Sequence, residues 1–192
     1  MVKLYFVRHG QTVSNVENLV QSWSNTELTD LGIQQGKMLG KALSSITFSK
    51  IYCSTSKRAR ITAKLINEYQ GTSIISTQGL KEMNFGQMEL RKEPKDMDWQ
   101  TILCHNWSTI GGNNLEILSY QMKNCIDDIV KVETGNILCV MHCFSILAFI
   151  NSFDSEFFQN CLMNDDKVDN CTVTIVDYNN GKYQIETFND PL

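Results

Sequence analysis

Residues 3–12, KLYFVRHGQT, run from five mostly apolar side chains directly into Arg8, His9 and Gly10. A second apolar run, NILCVM, ends on His142 and Cys143. Side by side, an imidazole and a guanidinium offer a nitrogen nucleophile or base near neutral pH and a planar fork that grips an oxyanion. Open α/β sheets place ligands off the carboxyl ends of their strands, so a histidine that follows a buried strand reads as a catalytic or anion-binding candidate. The plainer alternative is a strand that has reached the surface with its charged residues solvated, and three residues alone leave both readings open. Arginine is also scarce: Arg8, Arg58, Arg60 and Arg91 stand against 13 lysines. Each guanidinium therefore draws interest as a bidentate anion ligand.

The elements that must carry these residues alternate between strand and helix. VKLYFV is a continuous apolar run, as in a strand covered on both faces of a parallel sheet. Next comes a helix with Thr29 as N-cap and Leu31, Met38, Leu39, Ala42 and Ile46 along one face. Strand KIYCS, helix KRARITAKLINEYQ and strand TSIIST follow. From Leu80 to Gly112 the pattern breaks into charges, methionines and two tryptophans, the mark of a functional lid or partly helical cap. A long helix over about Asn114 to Val132 precedes strand NILCVM and helix CFSILAFINSF. The tail alternates around Asn-Asn-Gly, a hairpin signal. This order predicts an α/β three-layer α/β/α sandwich, mostly parallel with an antiparallel edge, as a single domain over 1–192 with the cap insert at about 80–112. If the strands ending in VRHG and VMHC are neighbours, His9 and His142 face each other across the sheet's carboxyl edge.

Bulk properties narrow the function classes. A chain of 192 residues is long enough to bury roughly 70% of its unfolded surface. The net charge of −4 and the lack of a basic run argue against a nucleic-acid partner. No apolar stretch has membrane-spanning length, and the N-terminus opens as a strand rather than a signal peptide. Seven cysteines, mostly inside apolar runs and without CxxC pairs, point to reduced core thiols and a cytoplasmic location. Cys139, His142 and Cys143 lack a fourth ligand at useful spacing, and strand alternation sets Cys139 on the opposite face, so no metal and no cofactor are expected. His105, in LCHNW, has no motif around it and reads as structural.

VRHGQTVSN resembles the signature of the histidine phosphatase superfamily, the phosphoglycerate mutase-like proteins (branch 1). NTELTDLGIQQG, STSKRARITA, LKEMNFG and VMHCFSI resemble that family's further motifs in order and spacing, across most of the chain. The resemblance implies a phosphoglycerate mutase-like fold and a phosphohistidine mechanism. His9 would be the nucleophile, its other ring nitrogen fixed by a backbone carbonyl. Arg8 and Arg58 would clamp phosphoryl oxygens, and His142 would add a further donor as charge builds. Glu82, partly desolvated by the apolar residues beside it, would protonate the leaving oxygen and then take a proton from water. Gly10 would let the backbone approach the phosphate, and Gln11, Thr12 and Asn15 would help cradle it at a helix start. Arg60 reads as solvated helix surface.

Several positions depart from the family pattern. Cys143 stands where glycine is usual, GGNN replaces a glycine-glycine-glutamate-serine turn, and QMEL replaces the stretch after the acid, usually tryptophan-glutamate-glycine. Cys143 still belongs to the expected substrate-binding wall, with its thiolate favoured by His142 and the arginines. Met83, Phe85, Met88, Trp99 and Trp107 are expected to shape the leaving-group pocket. The leading reading is a phosphomonoesterase for a small phosphorylated metabolite, acting as a monomer or homodimer. A phosphoglycerate mutase is the alternative, and a non-catalytic phospho-ligand-binding module the second. The chain is short for a mutase with extra enclosing elements, and pure binding needs neither nucleophile nor acid.

Overall fold

A computed structural model describes residues 1–192. Its six strands are β1 (Val2–Arg8), β2 (Lys50–Ser54), β3 (Ile74–Thr77), β4 (Gly135–Met141), β5 (Val173–Asn179) and β6 (Lys182–Asp190). They form one sheet in the order β3-β2-β4-β1-β5-β6. β1 to β4 run parallel, and β5 and β6 add the antiparallel edge. Asn180 and Gly181 both take positive φ, 51° and 79°, as a tight hairpin turn between twisted strands demands.

The stretch Leu4–Val7 of β1 is apolar and buried because both faces of the strand are covered. Leu4 and Phe6 join one apolar core, Tyr5 and Val7 another. The helices are α1 (Val13–Val16), α2 (Asp30–Ala42), α3 (Lys57–Asn67), α4 (Trp99–Cys104), α5 (Leu115–Val132), α6 (Cys143–Asn151) and α7 (Ser155–Met163). Leu118, Met122 and Ile126 of α5, Ile146 and Phe149 of α6 and Phe158 of α7 pack on the Leu4 side. Leu39 of α2 and Ala59, Ala63 and Ile66 of α3 pack on the Tyr5 side. None of the helices is long and apolar enough to cross a membrane.

The face that α2 buries differs from the one its apolar residues suggest. Leu31 and Met38 are exposed, as is Ala42, Ile46 lies beyond the helix, and the buried residues are Gly32, Gly36, Leu39 and Gly40. The reason is proximity to α3: a Cβ on Gly36 would meet Leu65 Cδ1 at 2.9 Å, and one on Gly40 would meet Ile66 Cα at the same distance. A glycine stripe gives up roughly 0.5–1 kcal/mol of helix preference per residue and gains contact that larger side chains would prevent. Thr29 does cap the helix, its hydroxyl accepting from Gly32 N at 3.0 Å.

The irregular segment at 80–112 holds α4 and short 3₁₀ turns at Gly86–Met88 and Trp107–Ile110. Gly86 has φ 54°, and a Cβ there would lie 2.1 Å from the Ile110 carbonyl oxygen, so only glycine closes this part of the segment. Its outer arm pairs with the stretch after α1: Leu90 N donates to Val20 O and Val20 N to Arg91 O, both at 2.9 Å. Trp99 Nε1 and Gln100 Nε2 both donate to Asp165, fixing α4 to the loop that follows α7.

The sharpest steric constraint lies between α2 and the loop after β1. A Cβ on Gly32 would fall 2.1 Å from Gln11 O and 2.8 Å from Gln11 N, both backbone atoms. Gly32→Ala is expected to lower the unfolding free energy by about 1–3 kcal/mol, with an unchanged denaturant slope. Urea titration measures this, and a neutral result would mean that the loop shifts freely.

Candidate active site

β1 and β4 are parallel neighbours in the register Arg8↔Met141, so their carboxyl ends lie together. The ladder runs one step further, His9 N donating to Met141 O at 3.1 Å. His9 and His142, each the next residue after its strand, thus meet with ring centroids 5.3 Å apart. β2, paired on the far side of β4, ends at Ser54 and leads into α3, which carries Arg58. The structure therefore brings Arg8, His9, Arg58, Glu82 and His142 to one sheet edge.

His9 is 4% exposed, and its Nδ1 lies 2.8 Å from Gly10 O. A carbonyl only accepts, so Nδ1 carries the proton and Nε2 keeps its lone pair. Burial holds the imidazole well below its ordinary pKa of 6.5, and the charges of Arg58 and Arg8 push the same way. His9 is thus neutral at neutral pH, with the lone pair of Nε2 free to accept a proton or attack an electrophile.

Arg58 is 1% exposed. Its NH2 donates to Ser22 O at 2.8 Å and to His142 Nδ1 at 3.0 Å, and its NH1 to Ser24 O at 3.1 Å. Burial brings it down to about 10, still protonated at neutral pH. Arg8 NH1 donates to Val168 O at 2.6 Å. No ion pair in the protein includes an arginine, and Nε of both Arg8 and Arg58 is buried without a partner. Buried donors without acceptors are costly. Arg8 lines the same pocket as His9, where an oxyanion would satisfy it, whereas Arg58 and His142 lie behind that lining.

His142 is fully buried. Because Arg58 only donates, Nδ1 of His142 accepts, and Nε2–H donates to Ser54 Oγ at 2.9 Å. Both ring nitrogens are therefore engaged by the protein. In place of the expected direct donor to a ligand, His142 stands as a brace for Arg58. Ser54 is a site residue that the sequence reading does not single out, although it closes KIYCS and opens STSKRARITA.

Glu82 is 6% exposed. Oε1 accepts from Met83 N at 2.9 Å and Ser145 Oγ at 3.1 Å, and Oε2 from Phe144 N at 3.1 Å in the first turn of α6. Burial raises its pKa above the ordinary 4.5 and outweighs these hydrogen bonds and the charge of Arg58.

Arg8, His9, Asn15, Glu82 and Cys143 line a pocket of about 70 Å³. Its apolar wall includes Leu19, Phe85, Trp99, Ile102 and Phe144, with Glu93 and Lys167 also on the lining. Of the five residues expected to shape it, Phe85 and Trp99 do so; Met83 and Trp107 are core residues, and Met88 packs against that core. Gly10, Gln11 and Thr12 do not line the pocket. A Cβ on Gly10 would meet Gly32 O at 2.4 Å, so glycine is required there by packing rather than by phosphate approach. The Gly10 amide donates to Thr62, that of Gln11 to Gln35, and Thr12 caps α1 in a reciprocal box with Asn15. Asn15 Oδ1 accepts from Thr12 N at 3.0 Å, leaving Nδ2 for a ligand. Burial raises the Cys143 thiol above its ordinary pKa despite Arg8 and Lys167, which overturns the expectation of a favoured thiolate. No group of three or more His, Cys, Asp or Glu side chains is disposed to hold a metal ion.

Comparison with known proteins identifies the family of the chain. The family model for the histidine phosphatase superfamily (branch 1) matches residues 4–191. The solved structure of Bacillus stearothermophilus YhfR superposes with a TM-score of 0.88 and 26% identity, covering 99% of this chain and 98% of that one. The adenosylcobalamin/alpha-ribazole phosphatase of Escherichia coli K12 is 28% identical over 149 residues, 73% of each chain. The probable phosphoglycerate mutase GpmB of Erwinia tasmaniensis is 27% identical over 150 residues, 74% of this chain and 70% of that one. With motifs, fold and site in accord, the chain belongs to the histidine phosphatase superfamily, branch 1.

Proposed function

We propose that the protein is a phosphomonoesterase that hydrolyses small phosphorylated metabolites through a phosphohistidine on His9. The observation that carries this reading is the neutral His9, Nδ1–H fixed on the Gly10 carbonyl, beside two guanidiniums that have no carboxylate partner. Nε2 attacks phosphorus, and the bond to the ester oxygen breaks. Arg8 and Arg58 stabilise charge on the equatorial oxygens, and Glu82 delivers a proton to the departing alkoxide. Water then attacks the phosphohistidine and gives its proton to the Glu82 carboxylate, releasing inorganic phosphate and restoring both residues.

The pocket supports a compact leaving group. Its volume of about 70 Å³ is small beside the roughly 300–1,000 Å³ of sites for drug-sized ligands. We read residues 80–112 as the cap of a single domain, setting substrate choice while the strand ends supply the chemistry. The seven unbridged cysteines support a reducing, cytoplasmic setting.

Brief reaction with labelled substrate should leave acid-labile label on the peptide containing His9, and His9→Ala should lose turnover. Label elsewhere would end the mechanism. With 2-phosphoglycerate, free phosphate is expected rather than 3-phosphoglycerate; the reverse would favour the mutase reading.

The pH profile follows from the two shifted groups. His9 must be neutral, so activity falls as pH drops through its depressed pKa. Glu82 must be protonated, so activity falls as pH rises through its raised one. The plot of kcat/KM against pH should be bell-shaped, and Glu82→Gln should remove its alkaline limb. That variant should lose about 10²-fold or more on alkyl phosphates and much less on an activated aryl phosphate. An alkaline limb that persists in Glu82→Gln would assign the acid elsewhere.

A further inference from the structure

Ser22, Trp23 and Ser24 lie in an irregular stretch, outside any helix or strand, yet two of their carbonyls hold Arg58. Their amides converge on one side chain. Glu89 Oε1 accepts from Ser22 N at 2.9 Å and Ser24 N at 3.1 Å, and Oε2 accepts from Trp23 N at 3.1 Å. The Ser24 hydroxyl also donates to Oε1. One carboxylate thus gathers three consecutive amides on one side of a peptide segment, while carbonyls of the same segment point to a buried guanidinium on the other.

We propose that Glu89 is a positioning residue that aims Arg58 through the 22–24 segment. The inference rests on the reading of Arg58 as a phosphoryl ligand. Its physical basis is indirect charge compensation. A carboxylate paired directly with Arg58 would neutralise the charge that an oxyanion needs and compete for the Nε–H that the protein leaves free. Set one peptide layer away, Glu89 orients the Ser22 and Ser24 carbonyl dipoles toward the guanidinium. Nε of Arg58 remains unpartnered. The same segment reaches the acid: Trp23 Nε1 donates to Glu82 O at 3.0 Å, and Lys81 Nζ sits 3.9 Å above the Trp23 ring. Glu89 is itself fixed by the neighbouring pairing of Leu90 N with Val20 O. Its position in QMEL falls in the stretch singled out as a departure from the family pattern, at the one residue there that keeps the usual glutamate.

Glu89→Gln is the test, because its amide sets a donor against backbone N–H groups at nearly constant shape. Two readouts are taken. The nitrogen-15 NMR signal of the Arg58 side-chain Nε–H, assigned by its loss in Arg58→Lys, reports positioning whether or not the protein is an enzyme. It should broaden or shift in Glu89→Gln, and an unchanged signal overturns the proposal. Turnover of an alkyl phosphate should fall about 10²-fold, as for a misplacement near 1 Å, mainly in kcat. In an Arg58→Ala background Glu89→Gln should then change kcat by less than about twofold, because both act through one group. Equal losses in both backgrounds would show that Glu89 does not work through Arg58, and would also overturn the proposal. Should Glu89→Gln fail to fold, Ser24→Ala removes only the hydroxyl bond, and a smaller shift of the Arg58 signal is expected; no shift counts against the proposal. A wild-type protein without hydrolytic activity would refute the phosphatase reading, while the NMR signal would still decide whether Glu89 positions Arg58.

Discussion

Arg58 sits at 1% exposure with no carboxylate in ion-pairing range, and much of the site is arranged around that fact. A buried cation must be solvated by something, and here the solvent is the protein's own polar groups: two backbone carbonyls and an imidazole nitrogen. That demand fixes the tautomer of His142, which in turn engages Ser54 at the end of β2. It also fixes the path of the 22–24 loop, whose amides need an acceptor of their own and find it in Glu89. A positive charge held in this way keeps an affinity for anions that a salt bridge would have spent internally.

The sheet provides the frame for this cluster. Parallel pairing of β1 with β4, and of β4 with β2, sets three strand ends side by side without any long-range coincidence in sequence. Glu82 comes from elsewhere, at the start of the irregular segment. Its placement depends on α6, whose first-turn amide at Phe144 and hydroxyl at Ser145 donate to its carboxylate. The His9 side is thus built by strand register and the Glu82 side by a helix terminus, two kinds of order that meet over one small pocket.

Much of the fold is legible in the sequence because its signals are local. Continuous apolar runs mark the covered strands, Thr29 marks the start of α2, and Asn-Asn-Gly marks the hairpin. Arg8, His9 and His142 are legible because they sit at or just past the ends of β1 and β4. What escapes depends on three-dimensional proximity. The glycine face of α2 looks like a weak helix until α3 is laid against it. Gly10 reads as a phosphate contact and is a packing constraint, since the residue it would strike, Gly32, is remote in sequence. His142 reads as a free donor because its two partners come from the end of β2 and from α3. α7 leaves little trace, its short run SEFFQNCLM carrying few buried positions.

The attachment of α4 bears on how the protein exchanges ligands with solvent. α4 is tied through Trp99 and Gln100 to Asp165, in the same loop whose Val168 carbonyl holds Arg8. Opening the pocket by moving α4 must either break the bonds to Asp165 or draw residues 165–168 along with it. The second route carries the Arg8 anchor away from the sheet edge. Under the proposed mechanism, a pocket opened along that second route would also loosen the hold of Arg8 on a bound anion.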